Sequence, residues 1–242
     1  MSFTAKIAAG VASVTLAGGG AAMLGPLAAG ASTSSCVRGC ANVYSLKFGP
    51  GFTLDVFHGT SSWGQPLILF QTSSSDPAED FVITDLGTVN DLSGAGLVSG
   101  EFAYSYGSLD AYEIHYEPNG LDSHLCAGTW PGAAPQPSFK VRLVSCGQTA
   151  STIWASATDT IGGETIAAGY HVFVNAASDG YTSPEVLNYP AGHPAGMPRP
   201  WLNVQPLTAY SNGEVFDSQQ WTTETTDAAA SAGRAISGQT AP

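Results

Sequence analysis

Charge is what this sequence has least of. Only 11% of its 242 residues are charged, against a usual fraction of about a quarter. The shortage falls on one sign: 7 Lys and Arg face 19 Asp and Glu, a formal net charge of −12. If Lys6 leaves with an N-terminal leader, the balance becomes 6 against 19, or −13. Such a surface repels phosphate backbones and anionic headgroups, so nucleic acid is excluded as a partner and the mature chain is not expected to adhere to a membrane. Catalytic and cofactor motifs are missing too. There is no G-x-S-x-G elbow, no H-E-x-x-H, no P-loop, no G-x-G-x-x-G and no EF-hand loop. The five histidines (His58, His115, His124, His171, His193) are scattered, and no carboxylate pair stands out as a glycosidase would need. A non-enzymatic protein with no cofactor and no metal is the expectation. No Asn-x-Ser/Thr sequon occurs.

Cysteine is scarce, with four residues, Cys36, Cys40, Cys126 and Cys146. An even number suits disulfides in an exported chain, and three pairings are open. The most local joins Cys36 to Cys40 and Cys126 to Cys146. Zinc at Cys36-x-x-x-Cys40 lacks a histidine or second cysteine pair at ligand spacing. Lipidation of Cys36 is disfavoured because Thr33-Ser34-Ser35 carries no apolar residue. Export is expected from residues 1–31: Lys6 gives a thin positive start, Ile7 to Leu27 is apolar and rich in small residues, and Ala29-Gly30-Ala31 fits a leader cleavage site. A membrane anchor is the alternative, but Gly10, Gly18–Gly20, Gly25 and Pro26 interrupt the run and no basic cluster follows it. The mature protein is therefore expected outside the cell.

What the chain has in quantity is glycine (29) and proline (15), which break helical periodicity almost everywhere past residue 30 and favour an all-β fold. Its apolar fraction, 43%, suffices for one well-cored domain. Short alternating segments recur in three sets. The first runs Val43–Leu46, Phe52–Val56, Pro66–Phe70 and closes at Phe81. The second runs Tyr112–Tyr116, His124–Ala127, Lys140–Val144 and closes at Trp154. The third runs Tyr170–Val174, Pro184–Leu187, Trp201–Val204 and closes at Trp221. The closing aromatics stand about 70 residues apart. Units of four short strands bury their faces only by packing around a common axis, which describes a β-trefoil with Phe81, Trp154 and Trp221 as threefold-related core rings. His115 and His171 read as comparable strand positions in that repeat.

These residues resemble the ricin-type β-trefoil family, a lectin-like fold, over about residues 42–223. The likeness is strongest in repeat two, where Leu125-Cys126, Val144-Ser145-Cys146-Gly147 and Thr152-Ile153-Trp154 match the family's intra-repeat disulfide layout. Repeat one keeps Leu54-Asp55-Val56, and repeat three keeps Gln219-Gln220-Trp221. The resemblance implies a divergent, secreted bacterial protein. It is organised as a leader (1–31), a segment with Cys36 and Cys40 (32–41), a trefoil (42–223, repeats about 42–84, 111–156 and 168–223) and a disordered tail (224–242). Insertions at 85–111 and 189–200 read as long loops, where function tends to sit.

The family's sugar pocket combines an Asp, an aromatic platform on the next strand and amides before the closing ring. The carboxylate accepts from sugar hydroxyls, the ring stacks on the apolar sugar face and the amides orient the ligand. By that pattern repeat one offers Asp55 and Phe70, with Glu79 and Asp80 where the amides would stand. That much acid in one pocket could also suit a cation or an amino sugar, and Asp55 could equally be a turn residue. Repeat two, with Gly128, Val144 and Thr152 in the three places, is expected to be structural. Repeat three is the weaker site: Ser218 and Gln219 hold the amide places, Tyr210 is the platform candidate, and Glu185 is the nearest acid. A glycan-binding module is the leading expectation. The alternative is a trefoil scaffold whose inserted loops capture a protein, as trefoil inhibitors do.

Overall fold

In the computed structural model of the chain the described residues are 41–73, 76–130, 140–147, 149–178, 184–190 and 201–225. All belong to one compact unit, Ser32–Pro242. The expected leader, Cys36 and Cys40, His193 with most of the 189–200 insertion, and residues 226–242 lie outside the described residues. No helix among the described residues is long and apolar enough to cross a membrane.

Twelve strands fall into three runs of four. Repeat one holds β1 (Ala41–Ser45), β2 (Phe52–Val56), β3 (Leu67–Gln71) and β4 (Phe81–Thr88). Repeat two holds β5 (Asp110–Tyr116), β6 (Leu125–Gly128), β7 (Arg142–Ser145) and β8 (Trp154–Ala157). After a two-residue hairpin, β9 (Thr160–Ile161) and β10 (Glu164–Thr165), repeat three holds β11 (Val172–Asn175), β12 (Glu185–Asn188), β13 (Asn203–Pro206) and β14 (Trp221–Thr225). The first and last strands of the repeats pair in the order β1, β4, β5, β8, β11. β11 meets β14 through two backbone bonds between His171 and Trp221 (2.6 and 2.8 Å), and β14 pairs β1 in register from Ala41↔Thr225 to Ser45↔Trp221. The ring closes, so these six strands form a barrel without open edges.

The middle strands of each repeat form hairpins, β2–β3, β6–β7 and β12–β13. These three interlock through a cycle of hydrogen bonds. Leu67 N donates to Val141 O (3.1 Å), Val141 N to Leu202 O (2.8 Å), and Leu202 N to Leu67 O (2.7 Å). Each residue does to the next what the previous one does to it, which is a threefold axis written in backbone atoms. A closed six-stranded barrel capped by three such hairpins is a β-trefoil.

The closing aromatics obey the same symmetry. Phe81 pairs Ala41 and Tyr116; Trp154 pairs Tyr112 and Asn175; Trp221 pairs His171 and Ser45. All three rings are fully buried in one apolar cluster with Leu67, Val141 and Leu202, each contributing about 2–3 kcal/mol by leaving water. The register corrects one expectation. His171 is equivalent to Tyr112, and His115 to Val174, so the two histidines do not share a place in the repeat.

Two further expectations change. The 85–111 insertion is not a loop: β4 continues to Thr88, and two short helices follow, α1 (Val89–Gly94) and α2 (Gly100–Tyr106). Their starts were encoded locally. Thr88 and Asp91 form a reciprocal capping box, and Ser99 Oγ accepts from Phe102 N. Val89, Leu92, Val98 and Phe102 then cover the outer, apolar side of Ala111, Ala155 and Val172, making a second core. The strand expected to end at 223 runs on, with Glu224 pairing Asn42 and Thr225 pairing Ala41. The disulfide Cys126–Cys146 is formed, with Cα atoms 5.0 Å apart across the β6–β7 hairpin.

Candidate ligand-binding site

The repeat symmetry tells which residues occupy the same place. Trp154 Nε1 donates to Ala127 O (2.9 Å), and Trp221 Nε1 donates to Leu187 O (3.0 Å). The next residues, Gly128 and Asn188, are therefore equivalent. In repeat one the same position, opposite Ile68 in the β2–β3 pair, is Asp55. Two residues beyond each partner come Phe70, Val144 and Gln205. Only repeat one pairs a carboxylate with a ring.

In repeat two the Asp position has no room for a side chain. A Cβ on Gly128 would lie 2.7 Å from Val144 Cγ2 and 2.8 Å from Ser151 O, so the glycine is demanded by the close approach of the next chain segment. In repeat three the position is Asn188, which sequence reasoning missed in favour of Glu185. It lies 33 residues before its closing ring rather than the 26 of repeat two, so the repeat-two interval counted back from Trp221 stops seven residues short of it. Its amide is already committed: Oδ1 accepts from Ser218 Oγ (3.1 Å), and Nδ2 donates to Asn203 Oδ1 (2.9 Å). Tyr210, the platform candidate, does not stand at the platform position. It leans on Phe216, with ring centroids 4.5 Å apart. Gln219 accepts from Thr208 N (2.8 Å) and donates to Pro206 O (3.0 Å), so both ends of its amide are held by backbone.

That same latch explains Glu79. Its carboxylate accepts from Ser73 N with both oxygens (2.8 and 3.0 Å). Ser73 follows Ile68 by five residues, as Thr208 follows Asn203, so Glu79 holds the end of β3 as Gln219 holds the end of β13. Asp80 faces elsewhere: its Oδ2 accepts from Asn119 N (2.8 Å), tying the turn after β5. Of the four residues expected in repeat one, the structure brings Asp55 and Phe70 onto one cleft, sets the Glu79 carboxylate beside Asp55, and uses Asp80 as a tie.

The cleft has a volume of about 330 Å³ and is lined by Asp55, Phe57, His58, Gly59, Ile68, Phe70, Asp76 and Ala78, at the lower end of the range for small-ligand sites. His58 and Gly59 both have left-handed backbone (φ 64° and 60°), which folds the β2–β3 connection over one wall. Asp76 caps the following helical turn by accepting from Ala78 N (2.9 Å) and sits at the rim. Phe70, in β3, is 38% exposed and presents a ring to solvent. Asp55 is only 4% exposed, and its carboxylate has no hydrogen-bond donor among the described residues.

Crowding of acids in a buried place disfavours their ionised forms. Burial, then Asp76, pushes the Asp55 carboxyl up to about 7. Burial also pushes Glu79 up to about 8; the Ser73 N–H opposes this, and Asp55, Asp76 and Asp80 add to it. Burial and the charges of Asp55, Asp80 and Asp76 raise the Tyr116 hydroxyl to about 12, with Ser61 pulling the other way. Asp55, Asp76 and Glu79 each present an oxygen within 4.8 Å of the others. A second grouping, His115 with Cys126 and Cys146, is closed to metals because its sulfurs form the disulfide. Chemically, the cleft offers a strong acceptor in Asp55, a flat apolar face in Phe70 and a basic nitrogen heterocycle in His58. A polyol with one apolar face matches that set.

No protein-family model matches the chain, and no curated protein matches it in sequence. Among solved structures, the designed three-fold symmetric protein ThreeFoil is similar at 16% identity and a TM-score of 0.47, over 76% of this chain and 96% of that one. A Polyporus squamosus lectin, solved with a human-type influenza-binding epitope, aligns at 11% identity and a TM-score of 0.46, over 78% of this chain and 49% of that one. A mosquitocidal holotoxin aligns at 12% identity and a TM-score of 0.49, over 78% of this chain and 17% of that one. At these scores the fold assignment rests on the closed barrel and the hairpin cycle, not on the likenesses.

Proposed function

We propose that this protein is a secreted, non-enzymatic carbohydrate-binding module for extracellular or cell-wall glycans, with a single binding cleft in repeat one. One observation carries the reading: among the described residues, Asp55 with Phe70 lines a cleft, while at the symmetry-related places Gly128 is crowded by Val144 and the Asn188 amide is committed to Ser218 and Asn203. Asp55 accepts from sugar hydroxyls, Phe70 stacks on the apolar face of the ring, and His58 closes one side. The test is co-sedimentation with insoluble polysaccharides alongside a broad glycan array. Retention that drops on Phe70→Ala supports the reading; silence across both panels refutes it.

A second reading has its own observation. The helical insertion α1–α2 displays Tyr104 at 94% exposure, a large aromatic of the kind enriched in protein interfaces. In that reading the trefoil is a scaffold for a protein partner. Tyr104→Ala would then abolish partner capture, and Phe70→Ala would leave it intact.

A further inference from the structure

We propose that the repeat-one cluster is a calcium site, with the carboxylates of Asp55, Asp76 and Glu79 as charged ligands. This departs from the metal-free expectation of the sequence and does not depend on glycan binding.

Three observations converge. First, the donors fit one ion. Two oxygens on opposite sides of a calcium ion, each at about 2.4 Å, are about 4.8 Å apart, and one oxygen from each of the three acids lies within 4.8 Å of the others. Second, the cluster is held from outside itself. Glu79 is fixed by Ser73 N and Asp76 by Ala78 N, so two of the three carboxylates are oriented by backbone and keep free lone pairs. Third, an independent buried group feels the charge of the same acids. Tyr116 is fully buried, and its hydroxyl oxygen has no hydrogen-bond partner. Ser61 is near enough to affect it without reaching hydrogen-bonding geometry, and Asp55, Asp80 and Asp76 are the charges acting on it. A buried phenol without a partner is costly, and a cation or its bound water satisfies it.

The donor set selects the ion. Carboxylate and hydroxyl oxygens, with no sulfur, suit a hard cation. Three carboxylates with open coordination for water or sugar hydroxyls suit calcium better than the stricter octahedron of magnesium. Neither other repeat can build the site, because Gly128 and Asn188 replace Asp55, and Thr152 and Gln219 replace Glu79.

The test is isothermal titration of calcium chloride into the purified chain stripped with chelator, without sugar. One equivalent should bind with a Kd of about 10⁻⁴–10⁻³ M, the range of extracellular modules. Asp55→Asn and Glu79→Gln should each weaken it by about tenfold or more. Glu79→Gln recreates the amide latch that Gln219 already provides in repeat three, so its fold is secure if Asp55→Asn proves unstable. Absence of binding at 10-fold the upper Kd, unchanged affinity in Glu79→Gln, or a response to glucosamine but not to calcium would each overturn the proposal. Loss of glycan retention in a calcium-binding protein would instead strike only the carbohydrate reading.

Discussion

Replacing Asp55 by Asn should change how stability depends on pH more than it changes the structure. Asn is nearly isosteric with Asp and cannot ionise. In the folded protein Asp55 titrates near 7 because it is buried and faces Asp76, whereas in the unfolded chain it titrates near 4. The folded carboxyl therefore keeps a proton that the unfolded one releases. The sign follows: this group's contribution is fully present below about pH 4 and is lost as pH rises through 7. Between pH 5 and pH 8 the loss attributable to Asp55 is about 2–3 kcal/mol. Glu79 moves the same way, and because Asp55 is one of the charges raising it, the substitution also relaxes Glu79. Asp76, Asp80, Tyr116 and His58 are the other titratable groups on this cluster. The remote histidines, His115 raised by Glu113 and His171 lowered by burial, titrate alike in both proteins and cancel in the comparison. The assay is urea unfolding at pH 5 and pH 8 in the presence of chelator, read as the difference between wild type and D55N. Wild type should lose at least about 2 kcal/mol more than D55N across that interval. Equal losses in the two proteins would show that Asp55 ionises normally and that the cluster is not the crowded, buried group described above.

Other perturbations probe the fold that holds the site. Trp221→Phe leaves Leu187 O without the indole donor and shrinks a fully buried ring, so denaturant unfolding should show a loss of about 2–4 kcal/mol. Gly128→Ala drives a Cβ to 2.7 Å from Val144 and 2.8 Å from the Ser151 carbonyl. It should cost about 1–3 kcal/mol by the same measurement while leaving glycan retention unchanged, because Gly128 is not among the residues that line the repeat-one cleft.

The architecture was legible because its signals are periodic. Three closing aromatics, three alternating openings and the Cys126–Cys146 spacing each survive the drift between repeats, and the structure puts Phe81, Trp154 and Trp221 at symmetric places. Local punctuation carried more than the sequence reading took from it. The Thr88–Asp91 capping box and the Gly162-Gly163 turn mark the two helices' entry and the β9–β10 hairpin, but an all-β composition argument hid them. Site reading failed where it relied on counting residues. Repeat three is seven residues longer between the Asn188 position and its ring, so the sequence points to Glu185 instead, and Tyr210 is named as the platform where the register puts Gln205. The backbone latch from Ser73 to Glu79 has no signal in the local sequence; it becomes legible beside the equivalent hold of Gln219 on Thr208.

The most direct test of the binding account is the fraction of protein retained on the best polysaccharide of a panel, compared between wild type and Phe70→Ala. Phe70 is partly exposed and outside both buried cores, so its loss should leave the unfolding midpoint in place. The account predicts that retention falls about tenfold while the fold is unaffected, as expected for removal of a stacking platform worth about 1–2 kcal/mol. Retention equal to that of wild type would contradict it.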